Sequence, residues 1–152
     1  MDKIDKLILS TLQEDAKISN IMISEKVGLS PSACHRRLEQ LKKSKIINNF
    51  SANLNLEKIG YSVLVMVNIS LNGQSANMLH EFESEVKKIP QVLSCFLLSG
   101  NSDYLLRVAA QNIKDYEQIH SNFLSILPHV LRIESIFILR EIVNRGLNIQ
   151  KL

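Results

Sequence analysis

Apolar residues recur at helical spacing from the start of the chain: Ile4, Leu7, Ile8 and Leu12 form one stripe, which predicts a first helix ending near residue 14. Asp2 stands where a helix N-cap is wanted, and Asp5 lies in the first turn, where the helix dipole favours an anion. The polar run Asp15-Ala16-Lys17 breaks the period, and Ser19 is placed to cap a second, shorter helix with Ile23 and Val27 inward. Gly28 ends that helix, and Ser30-Pro31 opens a third with a capping hydroxyl and a first-turn proline. Cys34, Leu38 and Leu41 form its buried stripe. Helical spacing is then lost, so residues 46–54 read as an extended wing and connector.

The period changes from near four to two at residues 62–71, where Val63, Val65, Val67, Ile69 and Leu71 alternate with Ser62, Leu64, Met66, Asn68 and Ser70. This is a strand. Asn72-Gly73 turns the chain into a helix over 75–88, striped by Leu79, Phe82, Val86 and Ile89 and closed by Pro90. A strand over 92–98 passes through the polar link at residues 99–103 into a third over 104–110, the form of a hairpin. Asn112 is placed to cap a helix striped by Tyr116, Ile119, Phe123 and Leu127, Pro128 closes it, and 130–141 alternates again. Strand, helix, strand, strand, helix, strand is the split βαβ order of ferredoxin-like folds. The chain is therefore expected to be α+β: an N-terminal helix-turn-helix of winged-helix type over 1–50, a connector over 51–60, a ferredoxin-like βαββαβ domain over 61–145 and a tail over 146–152. Both faces of its strands carry apolar residues, such as Leu64 and Met66 opposite Val65 and Val67, or Ile136 and Ile138 opposite Phe137 and Leu139. A monomer would leave one face wet, so that face is expected to pack on a second copy.

Charge sharpens this division. Of the 18 Lys/Arg and 15 Asp/Glu that give a net +3, residues 1–50 hold nine bases and six acids, and the remainder is balanced. Such asymmetry suits a first segment that meets a polyanion, although a solvated surface accounts for it equally. The outer face of the third helix offers Ser32, His35, Arg36, Glu39 and Gln40, with Ser30 at its start and Arg37 beside them. Arginine pairs with guanine, glutamine with adenine, and serine or histidine with bases or phosphates. Arg36 and Arg37 sit toward a helix N-terminus, against its dipole, and so ask for an external anion. Lys42, Lys43 and Lys45 suit phosphate, although a helix C-terminus alone would also favour them. The partner expected from these residues is double-stranded DNA, read in the major groove.

Other chemistry is sparse. Cys34 and Cys95 stand in unrelated segments and read as packed thiols, and His35, His80, His120 and His129 have no metal-ligand spacing, so no metal or cofactor is expected. No apolar run reaches the ~18 residues of a membrane span, and the charged N-terminus is unlike a signal peptide. A cytoplasmic location, without a membrane partner, follows as the expectation.

Taken together, Asp2-Lys3-Ile4-Asp5 with Leu9 and Leu12, Ile18-Ser19-Asn20, Val27-Gly28-Leu29-Ser30-Pro31-Ser32, Arg36-Arg37-Leu38 and Ser99-Gly100-Asn101-Ser102-Asp103-Tyr104-Leu105-Leu106 resemble the leucine- and asparagine-responsive (Lrp/AsnC, or feast/famine) transcription regulators of bacteria and archaea. The resemblance spans almost the whole chain, in order. It implies a DNA-binding domain joined to a ferredoxin-like domain that binds an amino-acid effector, with dimers formed through the sheets and assembled into octamers. It further implies that the link of Ser99, Gly100, Asn101, Ser102, Asp103 and Tyr104 helps to form the effector site. Gly100 would allow close backbone approach, Asp103 would take the ammonium, and Leu97, Leu98 and Leu124 would line an aliphatic pocket suited to leucine or methionine. On the residues alone, the same link reads as an ordinary hairpin turn. Two positions depart from the family pattern: Asn101 replaces the acid usual after this glycine, and Ser24 a small apolar residue. The rival expectations are an enzyme of the same architecture, such as a haem-pathway decarboxylase, and an amino-acid sensor acting on protein partners. A decarboxylase would not need Arg36, Arg37 and the charge asymmetry, and DNA binding at moderate salt would exclude the sensor.

Overall fold

The computed structural model describes residues 1–149. Two compact units are present, one of Met1–Asn53 together with the chain from Val143 onward and the other of Leu54–Ile142. In the first unit, α1 (Lys3–Glu14), α2 (Asn20–Val27) and α3 (Pro31–Lys43) pack around Ile8, Ile23, Cys34 and Leu41. Each helix start carries its local cap: Asp2 and Asp5 form a reciprocal capping box, and the hydroxyls of Ser19 and Ser30 accept from the amides of Met22 and Ala33. Gly28 leaves α2 in the left-handed conformation, with φ 68°, where a side chain would be strained. The buried Ser24 hydroxyl is satisfied within its own helix, donating to the carbonyl of Ile21 at 2.7 Å. Ile149 packs against this same core, so the tail following residue 142 belongs to the N-terminal unit.

The second unit is a four-stranded antiparallel sheet in the order β2-β3-β1-β4, from β1 (Val63–Leu71), β2 (Val92–Leu97), β3 (Tyr104–Ala110) and β4 (Val130–Phe137). The helix α4 (Ala76–Val86) connects β1 to β2, and α5 (Ile113–Ile119) connects β3 to β4, which is the ferredoxin-like arrangement. Val65, Val67, Ile69 and Leu71 of β1 and Leu106 and Val108 of β3 face Phe82, Val86, Tyr116 and Ile119 of the helices in one core. The opposite sheet face is mixed. Met66 lies between Arg107 and Ile136 in the ladder, while Asn68 donates to Glu134 Oε2 at 3.3 Å.

Three expectations are corrected. β4 stops at Phe137 instead of residue 141: beyond it the Ile138 amide still donates to the Leu64 carbonyl at 2.9 Å, but β1 starts at Val63, so residues 140 and 141 lie past its end, and Leu139 is 98% exposed. No strand forms over 46–54; the connector instead contains a 3-10 turn at Glu57–Ile59. The inward stripe of α5 shifts at its end, since the chain continues as a π-helical turn, His120–Leu124, in which the Ser125 amide bonds the His120 carbonyl. Its wider turn brings Leu124 fully into the core and leaves Phe123 42% exposed.

Candidate DNA-binding face and effector link

Ser32, His35, Arg36, Gln40, Lys42 and Lys43 are exposed along α3. Its start is fixed by Asn20 of α2, whose Nδ2 donates to the Pro31 carbonyl at 2.8 Å, and by the Ser30 cap, whose Oγ also lies 3.2 Å from Ser32 Oγ. Lys42 donates to Glu39 Oε1 at 2.9 Å and lies 5.9 Å from the Phe50 ring centroid, an exposed pairing of little strength that phosphate can displace.

Arg37 is corrected. The anion it calls for lies inside the molecule: Nη1 donates to Asp2 Oδ2 at 2.7 Å and to Asp5 Oδ1 at 2.8 Å. The Asp5 amide, and after it Arg37, holds the Asp2 carboxyl below its ordinary range. Two acids three residues apart in the first turn of α1, and an arginine placed against the dipole of α3, were the available signal.

In the second unit, Ser99, Gly100 and Asn101 are exposed and Ser102 half-buried. No atom lies within 4 Å of where a Cβ on Gly100 would sit, so any close approach it permits is to something outside this chain. Asp103, expected as a free partner for an ammonium, is 9% exposed and engaged: Oδ2 accepts from the Leu71 amide at 2.7 Å and Oδ1 from Gln74 Nε2 at 2.6 Å. Its backbone pairs too, its amide to the Ile69 carbonyl and its carbonyl from the Leu98 amide. Tyr104 is also internal, stacked 4.4 Å from Phe82 between ring centroids and donating to Glu83 Oε1 at 3.0 Å. Burial first, then Glu83, pushes its phenol well up. Leu124 is core, so it lines no open site, whereas Leu97 and Leu98 are exposed beside the link.

Cys34 is packed, and burial raises its thiol. Cys95, expected to be packed as well, is exposed on β2; partial burial of its thiol and the Glu83 charge nevertheless push it up to about 11, too high for an active nucleophile. Among the described residues no group of His, Cys, Asp or Glu could hold a metal ion, and no helix is long and apolar enough to cross a membrane.

A capped helix-turn-helix with a polar, basic outer face and a ferredoxin-like unit bearing an exposed glycine link define a DNA-binding regulator with a ligand-binding domain. The family comparisons agree at both ends: residues 1–48 match a winged helix-turn-helix DNA-binding model and residues 64–147 the Lrp/AsnC ligand binding domain. The chain belongs to the Lrp/AsnC family of transcription regulators. It is 40% identical to the transcriptional regulator AzlB of Bacillus subtilis over 76% of this chain and 74% of that protein. With the leucine-responsive regulatory protein of Escherichia coli it shares 34% identity over 93% of this chain and 87% of the relative. A transcriptional regulator of Neisseria meningitidis crystallised as a complex with L-methionine superposes with a TM-score of 0.90 at 34% identity, covering 95% of this chain and 94% of that one. These relatives are named as regulators, and the enzyme reading falls with that.

Proposed function

We propose that this chain is a cytoplasmic regulator that reads specific DNA sites through α3 and alters its binding when an aliphatic amino acid, leucine or methionine, occupies the link at residues 99–102. The observation that carries the reading is the exposed face of α3, where Arg36 stands in the first turns with no ion pair among the described residues and Ser32, His35 and Gln40 flank it. Arginine at that place suits the O6 and N7 acceptors of guanine, and Lys42 and Lys43 suit the backbone. The amide groups near Gly100 suit a carboxylate, and Leu97 and Leu98 an aliphatic side chain. Asp103 acts by holding the link in shape and by placing its charge beneath it. Asn101 adds no charge, which disfavours lysine or arginine as ligands. The L-methionine bound by the Neisseria relative supports an uncharged ligand. The exposed apolar residues on the mixed outer sheet face, such as Ile136 beside Met66, support a homodimer, and family likeness supports assembly of dimers into octamers. Mapping bound sites across the source genome, with and without leucine and methionine, tests the reading. Discrete sites whose occupancy changes with one of these amino acids are expected; binding at moderate salt that does not distinguish any site from random DNA overturns it.

A further inference from the structure

The start of α1 and the middle of α3 are joined by a closed polar network. Asp2 Oδ1 accepts from the Asp5 amide at 2.8 Å and Asp5 Oδ2 from the Asp2 amide at 2.9 Å; the remaining oxygen of each carboxylate accepts from Arg37 Nη1. All four carboxylate oxygens are thereby used, and the capping box and the ion pairs share the same two side chains. Asp5 is the more sheltered, with 17% side-chain exposure against 51% for Asp2 and 31% for Arg37. Elsewhere α3 is held by apolar contacts at Cys34, Leu38 and Leu41 and, at its first turn, by the Asn20 Nδ2 bond to the Pro31 carbonyl. The Arg37 pair adds a charged, directional tie from the middle of α3 to the start of α1, which fixes the rotation of the helix there.

We infer that Arg37 is a positioning residue for DNA reading: bound to Asp2 and Asp5, it sets the rotation of α3, and with it the angle at which Ser32, His35, Arg36 and Gln40 meet the base edges. Adjacent residues of a helix point about 100° apart, so holding position 37 against α1 turns position 36 outward. This rests on the reading of α3 proposed above, and the test separates the two.

Fluorescence anisotropy of the full chain on a cognate and a random duplex, over a range of salt, compares Arg37→Met, the pair Asp2→Ser with Asp5→Asn, the combination of all three, and Arg37→Lys. Serine and asparagine keep oxygen acceptors for the cap while removing the charges. Arg37→Met is expected to lower the cognate-to-random affinity ratio about tenfold, the scale of a displaced base contact, without lowering random-DNA affinity or the salt slope. The Asp pair should lower the ratio equally and the combination no further, while Arg37→Lys should restore most of it. If Arg37→Met does not fold, the Asp pair against wild type carries the same comparison. A salt slope smaller by about one, with loss on both duplexes, marks Arg37 as a phosphate contact and overturns the proposal. So do losses that add, a ratio unchanged despite a lower melting temperature, or an Asp pair that tightens both duplexes alike. Arg36→Ala tests the groove reading by itself: equal loss on both duplexes there, with the ratio still falling in Arg37→Met, removes Arg36 as a base reader and leaves the tie standing.

Discussion

Replacing Asp103 by alanine removes the acceptor for a strand amide that has no other place to go. Leu71 is 7% exposed, and its amide donates to Asp103 Oδ2 at 2.7 Å. A hydrogen bond to a charged group contributes about 1.5–3 kcal/mol, and most of that loss appears as an unsatisfied buried donor. Gln74, the other donor, is exposed and recovers water, adding on the order of 0.5 kcal/mol. The expected loss is therefore about 2–3.5 kcal/mol, or roughly 10–25 °C in the melting of a domain of this size. Asp103→Asn retains an oxygen for the Leu71 amide and asks only that the Gln74 amide turn over, so it should cost less than about half as much. Urea unfolding of the full chain, read as a lower midpoint at unchanged m-value, measures both. An alanine variant within about 0.5 kcal/mol of wild type, the range of an ordinary surface change, would refute this account of Asp103 and return the carboxylate to the role of a free ligand group.

Phe82→Ala should destabilise the second unit by about 3–5 kcal/mol in the same assay, since Phe82 is wholly buried against Tyr104. Met66→Asp should convert the assembly to monomers or precipitate it in light scattering, whereas Ser84→Asp, on the exposed side of α4, should leave particle size unchanged; a wild type that is monomeric at micromolar concentration would sink the assembly reading. Because Asp2 is held below its ordinary value of 3.8 in the folded chain, its stabilisation is complete above that value and is lost as pH falls from there through the lowered folded value. Acid unfolding of the N-terminal unit followed by circular dichroism should therefore be less steep below pH 3.8 in Asp2→Ser than in wild type.

What sequence made legible was local. Asp2, Ser19, Ser30 and Asn112 were readable as caps because a cap depends on residues within one turn, and each side chain does accept from an amide three positions on. The alternation of β1 was readable because burial on one face imposes a period of two. What escaped depends on separation. Arg37 lies 32 and 35 positions from its carboxylates, and Asp103 lies 29 and 32 from its donors. Charge and turn propensity could say that each wants a partner, but not that the fold supplies one from within. Leu124 escaped for a different reason: one π-helical turn moves the inward position by a single residue, and a fixed 3.6-residue period cannot register that.

The tail bears on how the N-terminal unit is completed. Since the chain leaves the N-terminal unit after Asn53 and returns to it at Val143, where Ile149 meets its core, the ligand-binding unit is topologically an insertion within the DNA-binding one. The helix-turn-helix core is therefore completed only by residues that follow the whole ligand-binding unit in the chain. Cutting after residue 53 likewise yields three helices missing a piece of their own core.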